Sequence, residues 1–245
     1  MQIIFFDLDD TIISTKKTNL KIFEKVRAKL GIEADKDEFR KKLRTILRTH
    51  MLNIGYFNEN ESIGIDPIDY YFFKAEYPFG DIDSFKEKVF LDLKKEYDKK
   101  FSSKDLENAL YDCKMDYTET IEGMKKLLAK LKRTHQTGLI TNGISQVQRN
   151  KIKAAKLEAL FDHVFISGDY GFGKPDPKFY SLIIEITKAN PSKSVMIGDN
   201  IQADYFGSKA AGMKSIYFSN KEVPYEVTKA KTADELSNLL NELIL

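Results

Sequence analysis

The chain opens Met1-Gln2-Ile3-Ile4-Phe5-Phe6-Asp7-Leu8-Asp9-Asp10-Thr11-Ile12-Ile13, an apolar run that ends in three carboxylates within four positions. Gln2–Phe6 reads as a buried strand, because a short apolar run bounded by turn-forming acids fits a sheet covered on both faces. Like charges at this spacing repel and raise one another's pKa unless a cation lies between them. As a bare turn or helix cap the acidic run needs nothing more. As part of a site it needs that cation from elsewhere in the chain.

Working outward, four more short β-branched or aromatic runs stand out at Thr137–Ile140, His163–Ile166, Ser194–Ile197 and Ser215–Phe218. Helical periods alternate with them, as in "FYSLIIEITKA" and "ADYFGSKAAG", and the tail "TADELSNLLNELIL" reads as a final packing helix. Strands spaced by helices argue for an α/β fold: a Rossmann-like parallel sheet flanked by helices. Between Ser14 and Tyr117 the pattern is amphipathic helix with no convincing strand. An all-helical domain at residues 16–117 is therefore expected, inserted into a core made of residues 1–15 and 118–245.

Composition narrows the class. The 245 residues are 42% hydrophobic and 31% charged, enough for a real core. With 39 basic against 37 acidic residues the formal net charge is +2, which leaves no electrostatic footprint for nucleic acid or an anionic membrane. The single cysteine, Cys113, cannot form an intrachain disulfide and reads as a small core residue. No apolar run has the length of a membrane span, and "QIIFF" is too short for a signal peptide, so a cytoplasmic protein with no evident obligate protein partner is expected.

Small, charged or hydroxyl residues follow each of the first four strand regions: "DLDDT", then Thr141-Asn142-Gly143, then "SGDYGFGKPDP" with Lys174, then "IGDNIQAD" with Asp199 and Asp204. In an open parallel sheet the carboxyl ends of the strands are where ligands bind. Three or more carboxylates, a lysine, a threonine and glycine-freed amides gathered at one edge suit a phosphate with a divalent metal, since Mg²⁺ prefers carboxylate and phosphate oxygens. Such a metal would also screen Asp7, Asp9 and Asp199 from one another. "GDYGFGKP" imitates a phosphate-binding nucleotide loop, but Pro175 stands where that motif needs a hydroxyl.

In this order the four motifs resemble the haloacid dehalogenase superfamily, whose first motif has the form D-x-D-x-T, here Asp7-Leu8-Asp9-Asp10-Thr11. Many members carry Gly where this chain has Asp10. The resemblance implies a phosphatase branch with a helical (C1-type) cap, the cap being the helical insert. It implies Asp7 as nucleophile and Asp9 as acid and then base. Mg²⁺ would be held by Asp7, the backbone carbonyl of Asp9, and Asp199. Thr141, Asn142 and Lys174 would bind the phosphate, and Asp204 would orient Lys174 or metal-site waters from behind. The second Asp separates phosphate chemistry from dehalogenation, where a halide leaves without a proton.

"ITNGISQVQRNKIKAAKLEALFD" and "KPDPKFY" are similar to pyrimidine 5′-nucleotidases and N-acylneuraminate 9-phosphatases. A nucleoside 5′-monophosphate is thus the first candidate substrate and a sugar phosphate the second. A mutase of the β-phosphoglucomutase kind shares the motifs, and a non-catalytic Mg²⁺-binding regulator is the competing class. Arg44, Arg48, His50, Tyr56, Phe57, Tyr70 and Tyr71 are the candidate cap contacts, each with an ordinary packing or solvated-face role as the alternative.

Overall fold

The computed structural model describes residues 2–52, 68, 71, 81–116 and 118–244. Strand β1 (Ile3–Phe6) is followed, among the described residues, by helices α1 (Thr15–Lys29), α2 (Lys36–Leu52), α3 (Ile82–Tyr97) and α4 (Ser103–Asp116). Next come α5 (Met124–Leu131), β2 (Gln136–Thr141), α6 (Ser145–Ala154), β3 (His163–Ile166), α7 (Pro177–Thr187) and β4 (Val195–Gly198). A π-helix (Ile201–Phe206) runs into α8 (Gly207–Ala210), and β5 (Lys214–Phe218), β6 (Lys229–Ala230) and α9 (Ala233–Ile244) complete the chain. The molecule divides into two compact units, Met1–Thr15 with Glu119–Leu245, and Lys16–Thr118.

The first unit holds a parallel sheet of six strands in the order β3-β2-β1-β4-β5-β6. Successive side chains of a strand point to opposite faces, and β1 obeys this. Ile3 and Phe5 join Ile140, Phe165, Phe179, Tyr180 and Ile183 on one side. Ile4 and Phe6 join Leu139, Ile197, Leu128, Ile152 and Leu236 on the other. Burying a side chain such as Phe5 contributes roughly 1.5–3 kcal/mol, and both faces of β1 are covered, which is why the strand reads as a continuous apolar run. Gly138 lies opposite Phe5 in the register, and a Cβ there would come within 2.3 Å of the Phe5 ring. The glycine makes room for the aromatic ring.

The sheet matches the expected α/β architecture. The sequence reading missed β6, a two-residue edge strand, Lys-Ala, with no β-branched or aromatic side chain to betray it. Topology places the site. From β1 the chain builds outward one way through β2 and β3 and the other way through β4, so β1 is where strand order reverses, the point at which open parallel sheets bind their ligands. The ends of the insertion are tied together: Ser14 N–H donates to Glu119 O at 2.9 Å.

The helical unit packs by stripe. Ile22, Phe23 and Val26 of α1, Phe39, Leu43 and Leu47 of α2, Phe85, Val89 and Leu93 of α3, and Leu106 and Leu110 of α4 are buried, spacings of three and four that line one face of each helix. Cys113 lies in the same stripe, fully buried. Among the candidate substrate contacts, Tyr71 is a core residue, edge-on to Phe85 at 6.0 Å, while Arg44 and Arg48 are exposed and His50 pairs with Asp92 at 2.7 Å. Tyr56, Phe57 and Tyr70 lie outside the described residues. Among the described residues no helix is long and apolar enough to cross a membrane.

Candidate active site

Asp7 is the first residue past β1, and its N–H donates to Ile197 O of β4 at 2.8 Å, which fixes it to the centre of the sheet. The turn that follows passes through Asp10, whose φ of 55° is left-handed. That region favours glycine and tolerates Asp, whose short polar side chain can bond locally. Here it does: Asp10 Oδ1 accepts from Thr15 N–H at 2.9 Å.

Lys174 supplies the first cation. Its Nζ donates to Asp7 Oδ1 at 2.6 Å, to Asp204 Oδ1 at 2.6 Å and to Ile140 O at 2.8 Å, so its three protons meet three acceptors. Asn142 holds the lysine's backbone in place: its Oδ1 accepts from Lys174 N–H at 2.9 Å and its Nδ2 donates to Lys174 O at 2.7 Å. Both polar atoms of the Asn142 side chain thus grip the Lys174 backbone. Asp204 is buried on the π-helix, its Oδ2 accepting from Asn200 N–H at 2.9 Å. Gly198 permits this, since a Cβ there would come within 2.2 Å of the Asp204 carboxylate.

Asp199 differs from both neighbours. It is half-buried and makes no hydrogen bond or ion pair with any described residue. Burial, reinforced by Asp204 and Asp10 and opposed by Lys174 and Lys221, pushes its carboxyl up to about 7. Burial likewise raises the Asp7 carboxyl well above the usual range, with Lys174 opposing and Asp204 and Asp199 adding to it. Oxygens of Asp7, Asp199 and Asp204 lie within 4.8 Å of one another. Both Asp204 oxygens are engaged, so Asp7 and Asp199 are the carboxylates that could hold a metal, and an all-oxygen donor set of this kind fits Mg²⁺.

Asp9 lies outside that group. Its side chain has a cation of its own within the chain. Lys151 of α6 donates to its two oxygens at 2.9 and 3.0 Å. Gln148 Nε2 donates to Asp9 Oδ2 at 2.9 Å and to Thr141 Oγ1 at 2.6 Å, and the Thr15 hydroxyl donates to Asp9 Oδ1 at 3.2 Å. Thr141 is buried at the end of β2. The sequence reading passed over Gln148 and Lys151. No local signal separates them from the solvated side chains of the helix; only in the folded α6 do they share the buried face with Val147 and Ile152.

Residues 4–218 match the family model of haloacid dehalogenase-like hydrolases. The chain belongs to that family. Over its full length it is 27% identical to the glyceraldehyde 3-phosphate phosphatase of Pyrococcus furiosus, covering 92% of that protein. Over 108 residues, 44% of each chain, it is 31% identical to the human N-acylneuraminate-9-phosphatase. Its fold is similar to that of the HAD-hydrolase YfnB of Bacillus subtilis, crystallised bound to magnesium, with a TM-score of 0.66, 21% identity and 98% of each chain covered. The structure brings Asp7, Lys174 and Asp204 into direct contact and sets Asp199 beside them. It joins Asp9 to Thr141 through Gln148.

Proposed function

We propose that the protein is a Mg²⁺-dependent phosphatase that hydrolyses small phosphomonoesters through an aspartyl-phosphate, an acyl phosphate formed on Asp7. It is an enzyme of the phosphoric monoester hydrolase class, in keeping with family membership and phosphatase-named relatives across the chain. The observation that carries the mechanism is the Asp7 carboxylate, fixed at the centre of the sheet with one oxygen held by Lys174. A nucleophile needs an ionised, immobile oxygen, and the buried ammonium 2.6 Å away favours that state against desolvation.

In the first step an Asp7 oxygen forms a bond to phosphorus as the bond to the leaving oxygen breaks, and Asp9 gives that oxygen a proton. In the second, water attacks phosphorus, its proton passes to Asp9, and the Asp7 oxygen leaves. Asp7 and Asp199, with the main-chain carbonyl of Asp9, would hold Mg²⁺, which supplies positive charge against the phosphoryl oxygens. Thr141 contributes its hydroxyl. Lys174, with every proton already placed, acts through its charge and by fixing Asp7. Asp204 orients Lys174.

We assign the helical unit, Lys16–Thr118, to covering the substrate and choosing it, as an inserted cap. The substrate candidates are a nucleoside 5′-monophosphate and a sugar phosphate, to which the name of the full-length relative adds a three-carbon sugar phosphate. The test is phosphate release from nucleoside monophosphates, sugar phosphates, phosphoglycolate and an aryl phosphate, with and without Mg²⁺. Mg²⁺-dependent release that falls by about 10³-fold or more in Asp7→Asn is expected. Undiminished turnover by that variant would rule Asp7 out as the nucleophile.

A further inference from the structure

Helix α6 begins just past the Thr141-Asn142-Gly143 turn, and its residues 148 and 151, three apart, share a face. Both are buried, although long polar side chains on an inward face cost free energy unless their polar atoms find partners. The partners are what matter. Lys151 bonds each oxygen of Asp9, at 2.9 and 3.0 Å, and Gln148 bonds Asp9 at 2.9 Å, Thr141 at 2.6 Å and Asn142 O at 3.2 Å. One amide therefore ties together Asp9, which must act at the leaving oxygen, and Thr141, which must act on the other oxygens of the same phosphoryl group.

Asp9 sits on a turn rather than in a strand, and a carboxylate free to change rotamer would be in reach of the reacting oxygen only part of the time. Four donor contacts from three side chains, Lys151, Gln148 and Thr15, remove that freedom. Resting on the phosphatase reading above, we propose that Lys151 and Gln148 are positioning residues of the reaction. They act on turnover through Asp9, and Gln148 also sets the distance between Asp9 and Thr141.

Steady-state phosphate release from p-nitrophenyl phosphate with saturating Mg²⁺ tests this in a double-mutant cycle. Lys151→Met should lower kcat by about 10–10²-fold and leave KM within about threefold, because a misplaced acid–base group slows the chemistry without loosening the phosphate. In an Asp9→Ala background the same substitution should change kcat by less than about twofold, since it then has nothing to position. Lys151→Arg, which keeps a cation able to span two oxygens, should recover most of the loss. Gln148→Met runs the same cycle should Lys151→Met fail to fold. Equal fold-losses with and without Asp9 would make the effect merely structural, and wild-type kcat in both single variants would leave the clamp without function. Either result overturns the proposal. A wild-type protein inert toward every ester overturns the phosphatase reading instead, and is told apart because the cycle starts from measurable wild-type turnover.

Discussion

Lys174 and Lys151 each meet a carboxylate of the same acidic turn, in opposite surroundings. The Lys174 side chain is 3% exposed, bridges two buried carboxylates and has no proton left for anything else. The Lys151 side chain is 8% exposed, but its partner Asp9 is 29% exposed, open to water on one side. Two residues along the backbone thus separate two dielectric environments. A nucleophile gains from the first, because a dry, fixed carboxylate needs no solvent reorganisation as it attacks. A group that must give up a proton and take one back needs the second, where it can exchange with water.

Removing each lysine sharpens the contrast. Lys174→Met strands Asp7 and Asp204 without their counter-charge in the interior, and a loss of about 3–5 kcal/mol is expected in urea unfolding. A loss near zero would mean that the buried pair is not the structural centre described here. Metal binding comes next. Mg²⁺ at a hundredfold above its Kd should stabilise the wild type by about 2.7 kcal/mol. Asp199→Asn should lose most of that gain and Asp9→Asn little of it, because in the proposed site only the former would supply a carboxylate to the metal. Equal losses would put both carboxylates in one site. The smallest effect is expected for Lys151→Met, about 1 kcal/mol, since Asp9, 29% exposed, can be solvated by water once the lysine is gone. A stability loss as large as that of Lys174→Met would erase the distinction between the two lysines.

Much of this site was legible in the chain because its polar residues stand at the ends of apolar runs. Asp7, Thr141 and Lys174 are conspicuous where a buried segment stops, and each is found in the constellation. That Asn142 grips the Lys174 backbone was not legible, because Lys174 is 32 residues away and a sequence does not show which backbone an amide will hold. Lys151 was not legible at all. On a helix with Arg149 and Lys153 nearby it reads as one more solvated cation, and only the packing of α6 against the acidic turn turns it inward.

From its order of residues alone, this chain settles an α/β core, a helical insertion after the first strand and a carboxylate-rich strand edge, because periodicity and turn chemistry are local properties written in consecutive positions. Which cation neutralises which carboxylate was left to the tertiary structure. Ion pairs form between groups brought together from residues 7 and 174, or 9 and 151, and burial decides how strongly each pair is felt.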